Sequence, residues 1–142
     1  MAVEFSSVAL QEVAANQNVL FTETPVRCTK GYVIHREGSG IITLKGITNQ
    51  CRARYRVSFG ANIQIPAGGT VGPISAAIAI NGEPLAASNR IVTPAAAEQF
   101  FAVASDVFVD VPKGCCLTIS VENTSAEAIN VQNANIIIDR VC

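Results

Sequence analysis

The residues able to do chemistry are few and scattered along the chain. His35 is the only histidine, set beside Arg36 and Glu37. An imidazole titrates near neutral pH and acts as a general base when a nucleophile stands within hydrogen-bond reach. No nucleophile pattern accompanies His35, so it reads as a polar residue at a strand end. Asp106, Asp110 and Asp139 are separated acids, and hydrolases need convergent acids, bases and nucleophiles. The chain therefore reads as a protein that is not an enzyme, with no catalytic residue assigned. Gly68, Gly69 and Gly72 lie in "AGGTVG", but no helix and no Gly-Lys-Ser/Thr follows to hold a phosphate, so this is an inter-strand loop.

The five cysteines, Cys28, Cys51, Cys115, Cys116 and Cys142, show no Cys-x-x-Cys spacing, and one histidine does not complete a zinc set. Neither a metal nor another cofactor is expected. The internal cysteines read as buried free thiols. Cys115 and Cys116 are neighbours on a strand and point to opposite faces, which makes a bond between them strained. Terminal Cys142 reads as exposed, where a cross-link between subunits has room to form.

Three arginines complete the inventory. In "RARYRVSFGANIQIP", Arg52 to Pro66, the odd positions Ala53, Tyr55, Val57, Phe59, Ala61, Ile63 and Ile65 are apolar. The even positions Arg52, Arg54, Arg56, Ser58, Asn62 and Gln64 are polar, with Gly60 as a gap. Side chains alternate across a strand, so this is a long half-buried β-strand with the arginines on one face. No aromatic residue is interleaved on that face for bases to stack on, and the arginines are expected to pair with carboxylates across strands or between subunits.

The elements around this strand are short and extended. Residues 1–30 read as an N-terminal arm, with strand-like "VEFSSVAL" and "VLFTETP" laid on the sheet. Residues 31–142 form the domain. Tyr32–His35 and Ile41–Leu44 make a hairpin, and "ISAAIAI" at 74–80 is a strand free of charge on both faces. Asn81-Gly82 is a hairpin turn signal, after which Glu83–Ile91 returns as an irregular strand interrupted by Pro84. "TPAAAEQ" at 93–99 is compatible with one helical turn, since proline suits a first helical position. "FFAVASDVFVDVP" carries apolar residues on both parities, with Asp106 and Asp110 as polar breaks, and needs cover on both faces, which makes one face a candidate subunit interface. "CCLTISVEN" and the closing stretch Ile129–Val141 are strands, and neither parity of the latter is purely apolar. Roughly eight to ten strands at about ten-residue intervals predict an antiparallel jelly-roll β-sandwich.

Composition agrees with association. Hydrophobic residues make up 49% and charged residues 15%, against about 25% charged in a typical soluble domain. A surface this short of charge is expected to be buried partly against other copies. The net charge of −1 offers no pull toward nucleic acid or anionic lipid. The start "MAVEFSSVAL" has neither a basic segment nor a continuous apolar run, and no apolar run of transmembrane length occurs. The expectation is synthesis in the cytoplasm without a signal peptide and no membrane partner.

Taken in order, "YRVSFGANIQIP", a glycine loop, "AIAING", "VFVDVPKG", "CLTISVEN" and "NVQNANIIIDRV" resemble the trimeric jelly roll of the complement-component and tumour necrosis factor superfamily over about residues 32–141. The bacterial and phage branch is the nearer likeness. It includes the tips of collagen-stalked exosporium proteins and small structural proteins of phages of gut Clostridia. The resemblance implies a homotrimer of about ten strands in two sheets. Tyr55, Ile78, Phe100, Phe108, Ile136 and Ile138 are then the expected interface residues. Members often bind calcium or receptors at apical loops, but no loop here holds a dense set of carboxylates. No Gly-X-Y stalk is present. The implied function is a non-enzymatic virion component, a surface decoration, head-fibre or tail-associated protein that contacts itself and other virion or surface-layer proteins. The alternatives are a receptor- or carbohydrate-binding module and a spore-surface assembly protein.

Overall fold

A computed structural model describes residues 2–27 and 31–141. They form two six-stranded antiparallel sheets. In sheet A the order is β10 (Phe101–Pro112), β6 (Arg52–Gln64), β12 (Ile129–Arg140), β1 (Ala2–Ser7) and β3 (Glu23–Val26), with β2 (Gln11–Val13) also on β12. In sheet B the order is β4 (Val33–His35), β5 (Ile42–Lys45), β11 (Cys116–Asn123), β7 (Ile74–Ile80) and β8 (Glu83–Pro84), with β9 (Arg90–Val92) also on β7. One 3-10 turn, Ala86–Ser88, interrupts the all-β chain.

The long strand is where its alternation puts it. β6 runs for 13 residues. Ala53, Tyr55, Val57, Phe59, Ala61 and Ile63 are all buried in the core. Tyr55 spans the layers, because its hydroxyl donates to the Lys45 carbonyl at 2.6 Å. A buried hydroxyl without such a partner would cost about 1–3 kcal/mol.

The mixed parity of the last strand has a local cause. In β12, Ile129 and Val131 face the core, then Ala134, Ile136 and Ile138 do so. The register against β6 shifts between Gln132 and Asn135, and Asn133 has a φ of 54°. This bulge inserts one residue and flips the parity, so the core set is apolar throughout. Ile137, not its neighbours, then faces outward at 39% exposure.

Residues 2–27 supply three strands of sheet A. β1 sits between β12 and β3, and Val3 and Phe5 are buried in the common core. The hairpin β4–β5 forms as its turn residues suggest, with Gly38 at φ 91°. Asn81 and Gly82 have φ of 53° and 85°, the conformation of a two-residue hairpin turn. Residues 93–99 make no helical turn. The Glu98 amide instead donates to the Ile65 carbonyl at 2.8 Å, and Glu98 at φ 65° takes a left-handed conformation that a right-handed helix does not contain.

The stretch after the Asn81-Gly82 turn leaves the ladder where Pro84 cannot donate. Ser88, fully buried, substitutes for the missing strand. Its Oγ accepts from the Ile78 amide at 2.9 Å and lies 2.8 Å from the Leu85 carbonyl. The Ser105 hydroxyl donates to the Ser88 carbonyl at 2.6 Å, tying β10 of sheet A to this turn in sheet B.

Candidate functional site

The polar positions of β6 and the outward positions of β10 make one face of sheet A. Register places Arg54 opposite Asp110, Arg56 opposite Phe108 and Ser58 opposite Asp106. Alternation forces this arrangement, since residues of like parity on paired strands share a face. Arg54 holds Asp110 with two bonds, Nε to Oδ1 at 2.8 Å and Nη2 to Oδ2 at 3.1 Å. Arg56 reaches diagonally past Phe108 to Asp106, its Nε 3.0 Å from Oδ2. Ser58 Oγ donates to the same carboxylate at 3.0 Å, and Arg52 Nε stands 3.5 Å from Asp110.

These pairs shift the titration of their members. The hydrogen bond from Arg56 holds the Asp106 carboxyl below the usual carboxylate range, and that from Arg54 does the same for Asp110. The hydrogen bond to Asp106 raises Arg56. All are solvent-exposed, so each pair adds little to protomer stability. Their effect is to leave the face nearly neutral while it carries charges of both signs.

Beside the ladder the face is flat. Gly60 lies opposite Ala104 on β10 and Asn135 on β12, and Ala102 lies opposite Asn62. A Cβ at Gly60 would stand 3.2 Å from the Asn135 Oδ1, so the glycine keeps the surface low. Phe108 rises from the ionic half at 65% exposure. An open groove of about 660 Å³ runs past Arg54, Arg56, Asp106, Val107, Phe108 and Val141.

The expected interface set divides on this geometry. Tyr55, Ile78, Ile136 and Ile138 are at most 1% exposed and are buried inside the protomer's own sandwich rather than on its surface. They belong to the core parity of their strands. Phe108 stands on the outer face of sheet A, and Phe100 precedes β10 at 45% exposure. Ile137, Ala102 and Ala104 join the exposed side. The signal for Ile137 was present in the arginine parity of β6, to which it is aligned through Ser58.

The cysteines also depart from expectation. Cys51, Cys115 and Cys116 are free and exposed. They border a turn in which Lys113 donates to the Cys51 carbonyl at 3.0 Å and Gly46 to the Cys115 carbonyl at 2.9 Å. Strand ends and turns hold them outside the core. Cys28 and Cys142 lie outside the described residues. Among the described residues no group of three or more histidine, cysteine or acidic side chains is placed to hold a metal.

His35 is packed rather than open. Its Nε2 donates to the Ser39 carbonyl at 2.7 Å, and its ring centroid is 4.4 Å from that of Phe5. Sequence reasoning missed a second polar feature, the Arg140 guanidinium 4.6 Å from the centre of the Tyr32 ring. Residues so far apart in sequence carry no spacing signal.

No protein-family model matches the chain, and no curated protein matches it in sequence. Solved structures do match. The tumour necrosis factor Eiger of S. frugiperda superposes with a TM-score of 0.73 at 12% identity, covering 100% of this chain and 92% of that one. Murine APRIL gives 0.69 at 12% identity, covering 99% and 98%. The globular domain of the zebrafish complement 1qA protein gives 0.62 at 12% identity, covering 96% and 94%. At this identity the likeness is one of fold, a tumour necrosis factor-like jelly roll.

Proposed function

We propose that this jelly roll is a non-enzymatic structural protein, a homotrimer closed through the outer face of sheet A that decorates the surface of a phage particle or forms part of its head fibre or tail. The observation that carries the assembly reading is Phe108, 65% exposed at the centre of an otherwise charge-matched face on an edge strand. An exposed phenylalanine in such a setting gains by burial against another surface. Because Arg54 and Arg56 already bind Asp110 and Asp106 within one protomer, this face is covered by a neighbouring subunit without leaving uncompensated charge. The flat strip at Gly60, Ala102 and Ala104 allows close approach of a neighbouring backbone. A stable interface of this kind buries about 800 Å² per partner.

What supports the place on a virion is the resemblance of the ordered strand sequences to small phage structural proteins rather than any single residue. Its partners there are further copies of itself and the underlying virion proteins. Immunogold labelling with antibody to the chain tests it: label on intact phage particles is expected. Label confined to spores or to cell surfaces would contradict the virion placement and leave the trimer untouched. The trimer is tested by mass in solution, with Phe108→Asp expected to give monomers.

A further inference from the structure

The end of the sandwich between the start of β4 and the last residue of β12 holds a second recess, of about 380 Å³. Small-molecule sites span about 300–1,000 Å³. It is lined by Tyr32, Ile47, Thr48, Asn49, Gln50 and Arg140. Arg140 lies on the parity of Ile136 and Ile138, but one step beyond the packed core, so its side chain closes the open end between the sheets.

Among the described residues the guanidinium is held by a ring rather than by an acid. It stands 4.6 Å from the Tyr32 ring centre, and the Tyr32 main chain is fixed because its carbonyl accepts from the Lys45 amide at 2.8 Å. Among the described residues Arg140 makes no ion pair, whereas Arg52, Arg54 and Arg56 each reach an aspartate. No acidic residue lines the recess. Stacking occupies one face of a guanidinium and leaves its in-plane N–H groups for an acceptor. Asn49 adds an exposed amide, Thr48 a hydroxyl, and Ile47 an apolar wall at 52% exposure.

We infer that this recess binds the carboxylate of an acidic saccharide, with Arg140 taking the carboxylate, Thr48 and Asn49 the ring hydroxyls, and Ile47 the C–H face of the pyranose. A guanidinium matches a carboxylate with two parallel bonds. The amide, hydroxyl and apolar wall have no role toward a bare anion, which favours a sugar over an inorganic ion. The recess shares no lining residue with the groove beside Phe108, so the inference stands independently of trimer assembly.

The test is a titration of the full chain with D-glucuronate, followed by amide NMR. Saturable shifts at Tyr32 and Asn49 are expected, with D-glucose, acetate and inorganic phosphate each at least tenfold weaker. Arg140→Gln is expected to remove binding, and Arg140→Lys, which keeps the charge and the stem, to weaken it about tenfold, the worth of a single good hydrogen-bonded contact. Tyr32→Phe retains the stacking and should bind nearly as the parent does. Acetate or phosphate binding as tightly as glucuronate would overturn the saccharide assignment. No saturable shift, or unchanged binding by a folded Arg140→Lys chain, would overturn the site itself.

Discussion

β7 and β10 look alike as sequence, each carrying apolar residues on both parities, with Asp106 and Asp110 the polar breaks of β10, yet they meet opposite fates in the fold. β7 lies inside sheet B with β11 on one flank and β8, the 3-10 turn and β9 on the other, and Ser75, Ala77, Ile78 and Ala79 are all buried. β10 lies at the edge of sheet A, with Val103, Val109 and Val111 inward and Ala102, Ala104 and Phe108 left outward. Two-sided apolarity can thus be absorbed within one chain or left for another copy. Side-chain size separates the cases here: β7 offers alanines on its second face, and β10 offers a phenylalanine ring.

Substitutions that separate these roles sharpen the contrast. The largest effect is expected at Ile78, where Ile78→Ala leaves a cavity and costs about 2–5 kcal/mol of unfolding free energy. Denaturant titration reads this, and assembly of the folded fraction should be unaltered. The counterpart on β10 is Phe108→Asp, expected to weaken association by about 2 kcal/mol or more as a central aromatic contact, with a protomer unfolding curve within about 0.5 kcal/mol of the parent. Sedimentation equilibrium and chemical denaturation together distinguish the two. Ser88→Ala strips the Ile78 amide of its buried acceptor and is expected to cost about 1–3 kcal/mol, again without change in oligomer size.

The ionic half should respond more mildly. Arg54→Glu places a carboxylate against Asp110 and is expected to weaken assembly while leaving glucuronate binding at Arg140 unaltered. Acid tests the same pairs. Asp106 and Asp110 have lowered folded values, so their contribution is complete above the ordinary aspartate range near about pH 3.9. It is lost as the pH falls further, through the depressed values. Light scattering should show constant oligomer mass from neutral pH down to about pH 5 and loss of the ladder's contribution only below about pH 4.

The long strand was legible because alternation is read directly from residue type: every odd position from Ala53 to Ile63 reached the core, and of the polar even positions Gln64 alone is buried. The hairpin at Asn81-Gly82 was legible for a similarly local reason, since few residues tolerate positive φ. In β12 one residue decides which side chains fill the protomer core. The bulge at Asn133 flips parity, and sequence alternation carried through it assigns Ile136 and Ile138 to the wrong side. The burial of Tyr55 and Ile78 in the protomer was not legible for a different reason, because residues that fill a protomer core and residues that fill an interface are chemically alike. The exposed thiols follow from tertiary placement at turns, and the Tyr32–Arg140 contact joins residues at distant points of the chain. Neither leaves a local pattern.

The central claim is that the outer face of sheet A is closed by copies of the same chain. Its most direct test is the mass of the full chain in solution at micromolar concentration, measured beside Phe108→Asp. The parent is expected at three times the 14.9 kDa chain mass and the variant at one chain mass. A parent that stays monomeric, or a Phe108→Asp variant that remains a trimer, would contradict it.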